Sequence, residues 1–229
     1  MAKRPIFIPG TVSSELVKEV YIEFDWFPGF SVVQKEKSIR SLHDSARELG
    51  INSVLEISTK SPASVGKELS AFNLAYKIDH LVMVVESAFQ GSKVFESGGP
   101  FIDIYTMPGH EAKKDGRLRN SGSLLRFDLL GDTWELEPKT AFYDWIYINA
   151  IHQNPVLGDQ LTHFDGFSDI EFNPEKSYSC QARSAALYVA LKKLNLLADA
   201  LQDKTKYLQI ISTPGTNKMD LGQSPLPGF

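Results

Sequence analysis

The stretch HLVMVVESAFQGSKVFESGG, residues 80–99, changes period part-way along. Its first part is an unbroken apolar run, which predicts a strand. From Glu86 onward, small residues, an aromatic and two charges follow helical spacing until the stop at Gly98-Gly99-Pro100, so a helix is predicted there. At about 100° per residue, Glu86, Phe89, Gln90 and Lys93 share one face, with the two charges roughly 10 Å apart along the axis. A carboxylate and an amine on one wall suit the cleavage of a glycosidic bond. The carboxyl can move protons, and a partly desolvated lysine can add to the aldehyde carbon of an opened ribose. The same spacing also fits a solvated charged stripe on a surface helix, the ordinary use of charged helical positions.

Upstream, RPIFIPG (4–10) reads as a short edge strand bounded by prolines and VYIEFDWF (20–27) as a strand, with PGF (28–30) as a turn. QKEKSIRSLHDSAREL (34–49) is a helix with Ile39, Leu42, Ala46 and Leu49 on its apolar face and Gly50 as its stop. SVLEIS (53–58) is a strand and TKSPASVG a loop or short helical turn. Downstream, AKKDGRLRNSG (112–122) is a basic surface loop or short helix, and SLLRFDLLGDTWEL (123–136) two short strands around Gly131-Asp132. EPKTAFYDWIYINAIHQN (137–154) is aromatic nearly all round, with Pro138 at the first helical position, and predicts a buried helix. SYSCQARSAALYVALKKLNLLADALQ (177–202) is the longest helical pattern. The aperiodic tail, 212–229, is expected to be mobile or loosely docked. No internal repeat or interdomain linker interrupts the chain.

Composition excludes several function classes. A chain of 229 residues with 42% hydrophobic and 23% charged content can bury a real core and is not wholly disordered. A net charge of −4 is not the signature of a protein that holds bare nucleic acid by charge. The local exception is Lys113, Lys114, Arg117 and Arg119, a phosphate-contact candidate or a solvated loop. The single cysteine, Cys180, permits neither a disulfide framework nor a cysteine-based zinc site within the chain and suits a reducing compartment. MAKRPIFIPG is not expected to be a signal peptide, and no apolar run is long enough for a membrane span, so a soluble cytoplasmic protein without membrane contact is expected. Histidines 43, 80, 110, 152 and 163 form no HxH or HExxH pair, and no P-loop or GxSxG is present. No metal and no cofactor is expected. Ser97-Gly98-Gly99 fits a phosphate cradle or a helix stop. Trp26, Phe30, Phe72, Tyr105, Trp134 and Trp145 fit base stacking or core packing.

Taken in order, several motifs resemble the NADAR (YbiA-like) family. LSAFNL (69–74) resembles its LSNFYP element, and VESAFQGSKVF resembles vEhyFQaqKF, matching Glu86, Phe89, Gln90, Lys93 and Phe95, with Ser87 and Ala88 in place of His-Tyr. EAKKDGRLR matches the AK..GR element at Ala112, Lys113, Gly116 and Arg117, and Trp134, Lys139 and Phe142 follow the next stretch. NPEKSYSCQARSAALYVAL resembles the family's last helix loosely, and the match spans about residues 69–191. The N-terminal part, FYDWIYINA and DIEFNP…CQARS are similar to the NADAR antitoxins associated with DarT-type toxins, which attach ADP-ribose to DNA bases. The resemblance implies a mainly α fold with small β elements (α+β): a catalytic domain at 69–211, an N-terminal extension at 1–68 packed on it, and the tail. It implies an N-glycosidase removing ADP-ribose from guanine in DNA, functionally paired with the toxin, and a monomer or weak dimer. Glu86 and Lys93 would be catalytic, with Lys93 forming a Schiff base at C1 of the opened ribose. Ser70, Phe72, Asn73, Gln90, Lys113, Arg117 and Trp134 would contact substrate. Two alternatives stay open: an N-glycosidase of small ribosylated metabolites, and a non-catalytic module that binds ADP-ribose or the toxin.

Overall fold

A computed structural model of the chain describes residues 1–13, 15–29 and 31–212; Phe30 and residues 213–229 of the tail lie outside the described residues. The fold is α+β. It opens with an antiparallel hairpin, β1 (Ala2–Val12) and β2 (Glu15–Phe24), registered with Ala2 opposite Phe24 and Pro9 opposite Val17. Pro5 and Pro9, the expected bounds of the first strand, lie inside it, and the hairpin is longer than its two segments read in sequence. Proline lacks only the N–H, so a strand carries it wherever that donor is not needed. On β2, Ile22 and Phe24 point inward and Tyr21 and Glu23 outward, the period-two pattern of a half-buried strand.

Helix α1 (Val32–Glu48) starts at Ser31, whose side chain accepts from Gln34 N, and it buries Ile39, Leu42 and Ala46 against this hairpin. Leu49 departs from expectation: it is the residue that closes the helix, and it is 62% exposed. Next come β3 (Val54–Glu56), α2 (Ser64–Glu68), and the hairpin of β4 (Ala75–Ile78) and β5 (Leu81–Val84). Helix α3 (Val85–Gly91) follows directly and gives way to β6 (Lys93–Phe95). A 3-10 turn (Ile102–Thr106), α4 (Gly109–Ala112) and α5 (Arg117–Asn120) lead to β7 (Leu124–Leu129) and β8 (Asp132–Trp134), which complete a three-stranded antiparallel sheet with β6. The turn between β7 and β8 is centred on Leu130-Gly131, both at positive φ, one residue earlier than expected.

The core is built around α6 (Ala141–His152), buried on nearly every side as its composition predicts. It begins at Ala141 rather than at Pro138, whose carbonyl accepts from Ala141 N in the preceding turn. After α7 (Pro155–Leu161) and β9 (Gly166–Ser168), α8 (Gln181–Lys193) packs on α6 and offers small residues, Ala182, Ala185, Ala186 and Ala190, that let the two approach. Each large apolar side chain buried between them, such as Ile146, Ile151 or Leu187, is worth about 1.5–3 kcal/mol. The long helix expected over 177–202 is broken: Asn195 adopts a left-handed φ of 57°, and α9 (Leu197–Ala200) and α10 (Lys204–Ile211) follow separately. Strand β9 joins distant parts of the chain, antiparallel to β1 at Phe7 and parallel to β3, in a sheet ordered β2-β1-β9-β3.

Behind this sheet lies a buried polar network. Glu56 accepts from Ser58 Oγ (2.7 Å), Ser168 Oγ (2.5 Å) and Ile170 N (2.9 Å), and His43 Nε2 meets Ser168 Oγ at 2.9 Å. Burial, and then the Glu56 charge, push the Asp169 carboxyl up to about 7. Unfolded, Asp169 ionises near 3.8, so its contribution to stability is full below that value and disappears as pH rises through about 7. Burial lowers His43 to about 4, which works in the opposite sense: its contribution is full above 6.5 and disappears as pH falls through about 4. Asp169→Asn is therefore expected to gain on the parent protein by about 1 kcal/mol per pH unit between about pH 4 and 7. Urea midpoints across that range test this, and a pH-independent difference would refute it.

Candidate active site

The LSAFNL segment forms a tight turn in which the Ser70 carbonyl accepts from Asn73 N and Leu74 N. This turn fixes the start of α3: Val85 N donates to Leu74 O (3.0 Å) and Glu86 N to Ala71 O (2.9 Å). The Glu86 side chain, 5% exposed, then accepts from Gln90 Nε2 one turn on, at 2.9 Å. Helix α4 comes very close here. A Cβ on Gly109 would lie 3.1 Å from both Glu86 Cβ and Phe72 Cδ1, so only glycine leaves room without displacing them. The approach carries Lys113 over the site, with Nζ 3.9 Å from Glu86 Oε1 and 5.4 Å from the Phe72 ring centre.

Lys93 arrives differently from the expectation of a shared helix face. Helix α3 ends at Gly91, which must be glycine because the Tyr105 ring lies against it: a Cβ there would sit 2.6 Å from two Tyr105 ring carbons. Ser92 closes the helix, and Lys93 begins β6, paired with Phe127 of β7. The side chain still returns to the same place. Nζ lies 4.8 Å from the Phe89 ring centre, and the Glu86 and Lys113 charges both act on it. Burial is the largest influence, and it brings the amine from 10.5 down to about 8; Glu86 pulls it up and Lys113 pushes it further down. Lys93 is 5% exposed, so this corner is enclosed rather than a solvated stripe. A buried amine near neutrality beside a buried carboxylate can perform nucleophilic and proton-transfer chemistry.

The other candidates divide. Phe72 is half-buried beneath Lys113, and Gln90 is held by Glu86. Ser70 is fully buried in the supporting turn, and its hydroxyl has no partner among the described residues. Asn73 is exposed and donates to Lys67 O. Arg117 is committed elsewhere. Its guanidinium lies over Phe101 (4.7 Å) and donates to Asp103 (3.1 and 2.6 Å) and to Asp115 (3.0 and 2.8 Å), holding both carboxyls below their usual range. Two carboxylates already occupy the donors that a phosphate would need. Trp134 is 2% exposed in the aromatic core, against Phe142 (5.6 Å), Trp145 (5.5 Å) and Tyr207 (6.1 Å), with Nε1 donating to Asp132. Phe142 stands between it and Phe89.

Two residues not singled out in sequence come close. Tyr143, one aromatic among many in α6, packs edge-on against Phe89 at 5.1 Å, and the Glu86 charge helps push its phenol up. Gln181, at the start of α8, accepts from Ala71 N (2.7 Å) and donates to Asp169 Oδ2 (2.9 Å), linking the supporting turn to the buried network. A tyrosine among apolar neighbours and a glutamine opening a buried helix were the only sequence signals for either. Among the described residues no group of three or more His, Cys, Asp or Glu side chains could hold a metal ion, and no helix is long and apolar enough to cross a membrane. A separate cleft between Leu16, Pro138, Thr140, Asp144, Arg183 and Leu187 contains none of these candidates.

No curated protein matches the chain. A family model does, described as DarT1-associated NADAR antitoxin, over residues 2–220. With nearly the whole chain covered, and the subgroup that the ordered motifs resemble, the protein belongs to the family of DarT1-associated NADAR antitoxins.

Proposed function

We propose that this antitoxin is an N-glycosidase that removes ADP-ribose from modified guanine in DNA and so reverses the action of a DarT-type ADP-ribosyltransferase. The observation that carries the reading is the enclosed corner in which buried Lys93 lies over the Phe89 ring within reach of the Glu86 charge, with burial bringing its amine down to about 8. A module that only bound ADP-ribose or the toxin would need no amine near neutrality. In the proposed reaction the ribose ring opens first: the C1–O4′ bond breaks with its electron pair going to O4′, which takes a proton through Glu86 and returns it when the product ring closes, and C1 is left double-bonded to the base nitrogen as an iminium. The neutral Nζ then adds to C1. The C1–N bond to the base breaks with its electron pair going to the base nitrogen. The proton lost by Nζ passes through Glu86 to that nitrogen, leaving a Schiff base between Lys93 and C1. Water then adds to C1 and expels the lysine amine, giving up its proton to Glu86. The net change is hydrolysis to ADP-ribose and free base.

The test is multiple-turnover release of ADP-ribose from an ADP-ribosylated guanine oligonucleotide, run beside small N-ribosides. Many turnovers on the oligonucleotide are expected. Turnover confined to the small ribosides would identify a metabolite enzyme, and binding without product a non-catalytic module. Arg117 being paired, DNA backbone contact in this reading falls to the exposed Lys114 and Arg119. The Lys114→Glu/Arg119→Glu variant is expected to raise KM for modified DNA and to flatten its salt dependence by about two phosphate contacts, with hydrolysis of the free modified nucleoside unchanged. An unaltered salt slope would remove that surface from the reading.

A further inference from the structure

Tyr143 is held on two sides, edge-on to Phe89 (5.1 Å, 87° between planes) and stacked on Tyr147 (6.1 Å, 21°). Its ring therefore has a fixed direction, and so has its hydroxyl. Three other buried tyrosines of this fold end on a carbonyl: Tyr147 on Leu69 O at 2.6 Å, Tyr105 on Asp128 O at 3.1 Å, Tyr207 on Ala141 O at 3.1 Å. Tyr76 and Tyr188 are buried without such a bond among the described residues, but neither ring contacts Phe89 of the Glu86 site. The Tyr143 hydroxyl makes no hydrogen bond among the described residues. The residue is nevertheless only 5% exposed, and its oxygen is not among the fully sealed orphan atoms, so it keeps a narrow opening through which a ligand can reach it. Leaving a buried hydroxyl unpaired costs about 1–3 kcal/mol, and phenylalanine would fill the same volume without that cost.

We infer that Tyr143 is a further binding residue of the Glu86 site, its hydroxyl donating a hydrogen bond to a ribose oxygen of the bound ADP-ribosyl group; this rests on the N-glycosidase reading for the identity of the ligand. Lys93 and Tyr143 contact the same Phe89 ring, so a ribose whose C1 is presented to Nζ lies within the Tyr143 neighbourhood. Burial, and then the Glu86 charge, push the phenol up, so the hydroxyl keeps its proton and acts as a donor. Its complement is an uncharged acceptor. A phosphate oxygen would bring negative charge toward Glu86 and Asp169, both of which act on Tyr143, whereas a ribose hydroxyl or ring oxygen would not.

Tyr143→Phe keeps both ring contacts and removes only the oxygen. The measurements are thermal midpoint, calorimetric Kd for ADP-ribose, and kcat/KM on ADP-ribosylated oligonucleotide. The midpoint is expected to hold or rise, Kd to weaken about tenfold, and kcat/KM to fall at least as much. Kd and kcat/KM both within twofold of the parent protein would overturn the inference while leaving the hydrolase reading intact. If the parent protein binds ADP-ribose without releasing it from DNA, the hydrolase reading fails and the Kd comparison alone decides Tyr143. If the parent protein does not bind ADP-ribose, both fall.

Discussion

Lys93→Met is expected to lower turnover on ADP-ribosylated DNA on the order of 10³-fold or more while making the protein more stable. The two effects share one cause. Burial holds the Lys93 amine at about 8 against 10.5 in the unfolded chain, a difference of roughly 3 kcal/mol paid by the folded state to keep the charged form. Methionine fills the stem's volume against Phe89 and brings no charge inside, so the thermal midpoint should rise as activity disappears. In the parent protein the rate should climb as pH rises through about 8, following the neutral amine, and then level off. Borohydride added during turnover should fix ADP-ribose to Lys93, seen as a mass increment on the peptide carrying it. Full turnover in Lys93→Met would remove the amine from the mechanism, and turnover lost without any trapped adduct would confine it to a non-covalent part. A variant that merely unfolded is separated from both by its midpoint, which here is expected to move upward.

What could be read from the sequence follows what is local. The apolar face of α1 was legible because Ile39, Leu42 and Ala46 repeat at helical spacing and all three are buried. Glu86 and Lys93 were legible as a pair, but their geometry was not. Helical spacing extends through Lys93 on paper, but Lys93 pairs as a strand residue with Phe127 of β7, a partner far along the chain that local periodicity does not reveal. Arg117 reads as an available cation until Asp103 and Asp115 fold over it. Trp134 reads equally as a stacking platform and as core, and only its neighbours Phe142, Trp145 and Tyr207 decide for core. Tyr143 was invisible for the converse reason. In an all-aromatic helix nothing marks which hydroxyl goes without a partner, since that depends on where carbonyls from other segments end up.

The second large effect lies away from the site, at the join of α6 and α8. Asp144→Ala is expected to destabilise the protein by about 3–5 kcal/mol, read from urea unfolding. Asp144 is 1% exposed, and one oxygen accepts from Ser184 Oγ at 2.5 Å while the other accepts from Arg183, which also donates to Thr140 Oγ1 at 3.0 Å. Alanine removes the partner but leaves the guanidinium in place, with its side chain only 17% exposed, and the desolvation already incurred is then uncompensated. Glu19 lies near enough to act on Arg183 but is half-buried itself, so it offsets only part of the loss. Asp144→Asn keeps one accepting oxygen, although its NH2 cannot accept from the second donor, and should lose less than alanine. The decisive comparison is Asp144→Leu combined with Arg183→Met. If the pair is a matched burial and not a net source of stability, removing both charges together should come within about 1 kcal/mol of the parent protein, although Asp144→Ala alone does not. A double variant as unstable as the single one would mean that the ion pair itself, not the avoidance of an orphaned charge, holds α6 to α8.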